Sequence, residues 1–311
     1  MLTFVGIDIN DSIIDLPVAE YVTINQEESV PADDLSVTFP YIEQLPELVK
    51  IKAFYNSELV FLGIVDEQQV VAQESGVYTK IIARSVAGVL IDNESKPVSY
   101  LNPSTSVIWA RHLEPHGIDK PVGDDVVLKG ALNISKGMTD WQAFYNFCIN
   151  AYGTVPRVEG DGTVKFSGVE CDREMLFSNN GGTKYTSIKE NNKRYQLLST
   201  IKVKTTDSGG YNSIVENKDA VSRKIDRQRY LDSASTSNSL VVADTMLENA
   251  KKESYEITLI CTEPLINVLG AKTKVQDDYI GEIDNLYISG ICYRLKPEGE
   301  YTTVTLKKKG E

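Results

Sequence analysis

His112 and His116 are the only two histidines in the chain, and they lie four residues apart. That spacing puts two imidazoles on one face of a helix, as in zinc-protease helices. Leu113, however, stands where such a helix carries its glutamate, and Pro115 lies between the pair. They read as polar residues near a helix end. Cys148, Cys171, Cys261 and Cys292 lie 23, 90 and 31 residues apart, with no Cys-x-x-Cys pair. Neither a zinc knuckle nor a redox dithiol fits, and four reduced, mostly buried thiols do. Asp33-Asp34, Asp124-Asp125 and Asp277-Asp278 are acidic pairs. Adjacent carboxylates cannot flank a glycosidic bond by themselves, and a calcium loop needs a longer ligand array. These pairs read as solvated or turn-forming. No Gly-x-Ser-x-Gly elbow, phosphate-binding loop or dinucleotide fingerprint occurs. Trp141, Phe144 and Tyr145 could stack on a sugar, but their spacing is that of a helix core. Arg223, Lys224, Arg227 and Arg229 are interleaved with Asp219, Asp226 and Asp232. Such a mixture suits an ion-paired surface or subunit contact rather than a phosphate track. The expectation is no catalytic, cofactor-binding or metal-ligating residue.

The charge balance narrows the partners. The 311 residues carry 44 acidic and 32 basic side chains, a net of −12. Residues 1–100 hold 16 acids and 5 bases, so one third of the chain carries nearly all the excess. An acidic surface repels phosphate backbones and has no attraction for anionic lipid. No stretch approaches the roughly 20 apolar residues of a membrane helix. The N-terminus has no basic region ahead of an apolar block, so a soluble protein made in the cytoplasm is expected. With 41% hydrophobic and 24% charged residues the chain can build cores.

The elements that would position these residues are mostly strands in the first third. Residues 35–39 and 49–54 alternate apolar and polar, and 59–65 is a near-continuous apolar run, as in a strand buried on both faces. Asn56-Ser57 gives hairpin spacing, and residues 78–82 form another strand. Val86, Val89 and Leu90 predict a short helix ending near Asn93. Ser104 or Ser106 can cap a helix through about Leu113, closed by Pro115 and Gly117. Thr139 to Gln142 is a capping box, and Trp141, Phe144, Tyr145, Cys148 and Tyr152 form one apolar stripe behind it. Asp161-Gly162 predicts a hairpin. Residues 178–183 are the best linker. Strands follow at 197–205 and 211–215, joined through 207–210, then a polar stretch at 217–232. Ser239 can cap a helix with Leu240, Ala243, Leu247 and Ala250 on one face, supported by a Glu248–Lys252 pair. Strands at 255–261, 272–275, 283–293 and 301–306 end the chain.

One pattern recurs. Gly63-Ile64 precedes Gly76-Val-Tyr-Thr-Lys-Ile81, and Gly290-Ile291 precedes Gly299-Glu-Tyr-Thr-Thr-Val304. The reading is either one hairpin used twice, in two β-domains of similar build, or chance among residues common in hairpins.

Several segments together resemble a known family. They are residues 46–66, ending Glu58-Leu-Val-Phe-Leu-Gly-Ile-Val-Asp66; residues 84–103, from Arg84-Ser-Val-Ala-Gly to Tyr100-Leu-Asn-Pro103; and Ser135-Lys-Gly-Met-Thr-Asp-Trp141 with its helix, Pro156-Arg157 and Asp161-Gly162. Residues 222–230, 255–259 and the closing Gly-x-Tyr-Thr strand follow in the same order. The ordered set resembles the baseplate hub proteins of phage contractile tails and phage-tail-like bacteriocins, the late-control-protein-D-like hub family. Leu269-Gly270-Ala271 departs from the Pro-Gly-Asp turn of those proteins.

The resemblance implies an α+β, β-rich chain with two similar β-barrel domains and an intervening α/β segment. The expected division is residues 1–95 for the first barrel, 96–180 for a mixed helical and hairpin segment, and 181–311 for the second barrel with a packed helix. It implies a structural homotrimer without enzymatic activity, joining a sixfold tail tube to a threefold tail spike beside other baseplate proteins. DNA would pass through the ring without being bound, with no membrane contact. A virion or tail-like particle baseplate, assembled in the bacterial cytoplasm, is the implied location. The alternative is a peptidoglycan-cleaving or glycan-binding tail protein. In a ring, Glu27, Glu28, Asp33, Asp34, Glu43 and Glu47 would line a channel or form an acidic docking face.

Overall fold

Alternating apolar residues set the first strands: β1 (Leu2–Asp8), β2 (Ile13–Asp15), β3 (Tyr21–Glu27), β4 (Asp34–Pro40), β5 (Leu48–Tyr55), β6 (Glu58–Gln73) and β7 (Gly76–Ser85). The computed structural model describes residues 2–119, 121, 123–169, 171–204, 210–232 and 239–309. These strands pair antiparallel in the order β3-β4-β7-β6-β5-β1-β2. The sheet wraps its own core. Phe4 of β1 meets Phe39 of β4 edge-on at 5.5 Å, although three strands separate them in the sheet. Asn56 and Ser57, with φ of 48° and 69°, make the two-residue β5–β6 turn.

Strand β6 runs eight residues beyond the apolar run that announces it, and only Val60, Phe61 and Gly63 in it are fully buried. The sequence misses the extension because its side chains are mostly polar or exposed; backbone pairing to β7 holds it, together with Gln68, which accepts the Leu48 N–H at 3.1 Å and donates to Pro46 O at 3.0 Å. The register shifts at Asp66. Arg84 clamps that carboxylate with two bonds of 2.8 Å and grips Asp92 with two more.

The chain then builds α1 (Gly88–Asp92), β8 (Val98–Leu101), α2 (Thr105–Ile108), β9 (Ala131–Ile134), α3 (Asp140–Tyr152), β10 (Arg157–Val158) and β11 (Val164–Lys165). Ser104 caps α2 as expected, but the helix loosens into a π turn over Trp109–Leu113 and tightens into a 3-10 turn over Glu114–His116. Both halves of the Thr139 capping box form. Trp141, Phe144 and Cys148 are buried as the stripe requires, whereas Tyr145 is exposed and Phe147 takes its place in the core. Phe144 and Phe147 both stack edge-on against Phe166.

The next elements are β12 (Glu174–Phe177), β13 (Tyr185–Asn192), β14 (Thr200–Lys204), β15 (Ser213–Glu216), α4 (Lys218–Ser222), β16 (Gln228–Asp232) and α5 (Ser239–Glu253). Residues 178–183, expected as a linker, are a closed loop: the Ser178 N–H donates to Thr183 O at 3.1 Å and the Thr183 N–H to Leu176 O at 2.8 Å. The polar 217–232 stretch holds α4 and β16, and β16 pairs parallel with β14. Ala243 and Leu247 of α5 pack on Ile201 and Val203, while Leu240 is exposed. Residues 207–209 of the expected loop and the Ser239 cap lie outside the described residues and side chains. The last strands are β17 (Tyr255–Cys261), β18 (Lys272–Asp277), β19 (Gly281–Lys296) and β20 (Gly299–Lys308). Two compact units share the chain in alternating segments: residues 1–174, 260–271 and 289–304 in one, 175–259, 272–288 and 305–311 in the other.

The Gly-x-Tyr-Thr half of the recurring pattern marks a duplication of topology, whereas Gly63-Ile64 and Gly290-Ile291, 13 and 9 residues before Gly76 and Gly299, are not equivalent. The order β1-β5-β6-β7-β4-β3 is matched by β12-β18-β19-β20-β17-β13. Strands β6 and β19 have 16 residues each, and β7 and β20 have 10 each. Gly76 and Gly299 open the second strands at φ 139° and 136°, a backbone region closed to other residues. Thr79 and Thr302, three positions on, are both buried. Thr79 Oγ1 accepts the Ile42 N–H at 3.0 Å, and Thr302 Oγ1 accepts the Leu265 N–H at 3.0 Å. Two residues further along those loops, Gln44 and Asn267 share a φ of 57°.

Candidate functional site

The histidine pair is brought to one carboxylate. His112 Nδ1 lies 2.8 Å from Asp140 Oδ1, and His116 Nε2 lies 2.9 Å from Asp140 Oδ2. Ser95 Oγ donates to Asp140 and lies 3.0 Å from His112 Nδ1. Tyr100 OH sits 3.1 Å from His112 Nε2. Serine, histidine and aspartate are therefore adjacent, but in the wrong order for a nucleophile. A catalytic serine faces the nitrogen opposite the carboxylate. Here Ser95 shares the Nδ1 side with Asp140, and Tyr100 holds the other nitrogen. Burial alone raises the Asp140 carboxyl; the bonds from Ser95, His112 and His116 outweigh it and hold the group below the usual aspartate range. The chemistry available is that of a buried, saturated carboxylate joining α3 to the Trp109–His116 turns. Sequence spacing gave the two histidines; nothing local pointed to Asp140.

A second buried charge ties β10 to the first sheet. Arg157 and Asp33 are almost fully buried and ion-paired. Arg157 Nη1 donates to Glu27 O at 2.9 Å, and Gln26 Nε2 donates to Asp33 Oδ2 at 3.0 Å. Burial pushes the Asp33 carboxyl up, against the pull of Arg157 and Gln26. Asp33 is thus neither a solvated loop acid nor part of an acidic surface, a correction to the expected channel-facing set. Asp277 is turn-forming as expected: its Oδ1 accepts the N–H groups of Tyr279 and Ile280, and its other oxygen accepts the Tyr185 hydroxyl at 2.6 Å. Asp124 and Asp125 line a cleft of about 820 Å³ together with Asp119, Asp161, Tyr152 and Lys165. Asp125 Oδ1 accepts the Ser106 N–H at 2.7 Å and Asp161 Oδ1 accepts the Thr163 N–H at 2.9 Å, so two of these acids stabilise loops. Among the described residues no group of three or more His, Cys, Asp or Glu is placed to hold a metal. Arg223 pairs with Asp219 at 3.6 Å on the surface. All four cysteines are free thiols.

Sheet edges carry the more informative geometry. Residues 290–295 of β19 run antiparallel to residues 27–22 of β3, from Gly290↔Glu27 to Leu295↔Val22. A paired amide locks the joint: Gln26 Nε2 donates to Asn267 Oδ1 at 2.9 Å, and the Asn267 N–H donates to Gln26 Oε1 at 3.0 Å. A strand of the second module is thereby joined to a strand of the first. The equivalent stretch of β6, residues 67–72, pairs with β7 alone among the described residues, because β5 stops at the Lys50↔Ile64 rung. Among the described residues strand β13, the equivalent of β3, ends the sheet.

This fold is that of phage tail proteins and the related tail components of secretion systems. The chain superposes on a tail protein from Neisseria meningitidis MC58 with a TM-score of 0.76 at 16% identity, covering 99% of this chain and 96% of that one. A 43 kDa tail protein of prophage MuSo2 from Shewanella oneidensis gives 0.75 at 14% identity, covering 98% and 97%. An Escherichia coli component of the type VI secretion system, itself similar in structure to the T4 phage tail proteins gp27 and gp5, gives 0.58 at 11% identity, covering 100% and 77%. No protein-family model and no curated relative matches the chain.

Proposed function

We propose that this protein is the structural hub of a contractile tail baseplate, a homotrimer joining a sixfold tail tube to a threefold spike. The observation that carries the reading is the duplicated strand order within one chain. Three copies would present six similar modules to a sixfold tube while keeping threefold symmetry for the spike. The fold shared with phage tail proteins agrees with a structural place in a virion or tail-like particle. The protein works by assembly rather than catalysis. Its partners are the tube, the spike and other baseplate proteins, and DNA passes the ring without being gripped. Cryo-EM of the intact particle tests this: three copies around the tail axis, between tube and spike, are expected, and a single copy per particle overturns the reading. Clearing of a cell-wall zymogram by the pure chain would move it to the peptidoglycan-cleaving alternative, and specific retention on a glycan array to the glycan-binding one.

A further inference from the structure

We infer that copies of this chain join edge to edge, residues 67–72 of β6 in one copy pairing antiparallel with β13 of the next. The β19–β3 joint within the chain is the precedent. β6 is to the first module what β19 is to the second, and β13 is to the second what β3 is to the first. One of the two equivalent joints is therefore made inside the chain and the other is left open.

The open halves show what the closed one hides. Residues 288–291 of β19 are buried and Lys296 alone is exposed over 289–296, whereas in β6 most of residues 66–73 are exposed. Strand β3 buries Val22, Ile24 and Gln26, whereas β13 past Tyr185 has no buried residue. An unpaired edge of this kind is a template for another strand.

The register follows from matching side-chain bonds. Asn25 Nδ2 donates to Asp34 of β4, and Asn191 Nδ2 donates to Glu256 of β17. Asn191 is thus the counterpart of Asn25, and Asn192 that of Gln26. Carrying the rungs of the closed joint across sets Glu67 opposite Lys193, Val71 opposite Lys189 and Ala72 opposite Ile188. It also sets Gln44 beside Asn192. In the closed joint the locking amides are Gln26 on the strand and Asn267 on the loop. In the open one they are Asn192 on the strand and Gln44 on the loop, again one long and one short amide, and Gln44 has the φ of 57° that presents Asn267. Both are exposed. Charge agrees in sign: residues 184–193 carry Lys184, Lys189 and Lys193 against one acid, Glu190, and face an edge bearing Glu67 and Glu74, Lys193 being also paired with Glu256 of its own chain. Because the two surfaces differ, the contact is heterologous and closes into a ring or grows as a chain. The inference rests on the proposed homotrimer only for the number of copies.

The test is the full-length chain carrying Val71→Cys and Lys189→Cys together. Facing residues on paired strands have Cα atoms about 4.5–5.5 Å apart, within disulfide reach. Under mild oxidation the double variant should pass largely into linked dimers and trimers on non-reducing gels, and wild type and either single variant should not. A ladder ending at a trimer supports the joint and the homotrimer. A ladder continuing past three supports the joint and overturns the homotrimer. An oligomer in sedimentation that gives no linked species overturns the joint alone, and a monomer at every concentration overturns both. Hydrogen exchange on the wild-type chain gives an answer independent of the variants. Amides in residues 67–72 and 188–192 should slow at least tenfold on association; unchanged exchange in an oligomer counts against the joint.

Discussion

Asp140 is the residue on which the inserted segment depends. Its oxygens take bonds from Ser95, His112 and His116. Asp140→Asn removes charge-assisted bonds and turns one acceptor into a donor facing a histidine. A loss of about 2–3 kcal/mol is expected in urea unfolding. The sign of its pH dependence follows from the lowered carboxyl. Its contribution is fully present above the ordinary aspartate value of 3.8 and disappears as pH falls through the lower folded value. The gap between wild type and Asp140→Asn should therefore narrow as pH falls below that ordinary value, and a constant gap would reject the carboxylate's role. Arg157 offers a contrasting case. Arg157→Ala leaves the buried Asp33 carboxyl without its ion partner, at a cost of about 3–5 kcal/mol, whereas Arg157→Met with Asp33→Asn should recover at least half of it. Equal losses in the single and double variants, measured by denaturant midpoint, would contradict the pairing. Neither centre was legible from spacing. Arg157 and Asp33 are 124 positions apart and His112 and Asp140 are 28 apart, so only the fold brings them together. The histidine pair was legible because it is local.

At the scale of elements, the two long hairpins make a controlled comparison within one chain. Thr79 and Thr302 each accept a loop N–H, and Thr302 also donates to Glu263 O at 2.9 Å. Replacing either by valine keeps the shape and leaves a backbone N–H without its acceptor. Thr79→Val should cost about 1–2 kcal/mol and Thr302→Val more, since a carbonyl loses its donor as well. The reverse order in thermal unfolding would mean that the hydroxyls are not what fixes these loops. Hairpins were the legible elements, because Gly-x-Tyr-Thr combines a φ that only glycine tolerates with strand alternation. β1 and β3 were not picked out although both alternate inward apolar residues, and β16 was hidden in a charged stretch. Strands of that kind are defined by the partner they meet rather than by their own composition.

For the whole molecule, the uneven charge acquires a location. The excess sits in residues 1–100, and the strand proposed to meet it in a neighbouring copy carries Lys189 and Glu190, with Lys184 and Lys193 at its flanks. Asp33 drops out of the acidic surface because it is buried, while Glu27, Asp34, Glu43 and Glu47 remain exposed. Uniform repulsion between copies of net charge −12 would make association stronger as salt rises. Attraction between an acidic edge and a basic one makes the opposite prediction at short range. The two can be separated at one position. With Lys189→Glu, β13 loses its one cation and gains a second carboxylate across from an edge bearing Glu67 and Glu74, so assembly should weaken several-fold at about 0.05 M salt and recover at about 0.5 M, where the Debye length falls well below 10 Å. Wild type should weaken over the same range if the edges dominate. Sedimentation equilibrium of both chains at the two salt concentrations decides it: a wild-type association that strengthens with salt, unaffected by Lys189→Glu, would assign the acidic third to keeping copies and passing DNA apart rather than to joining one copy to the next.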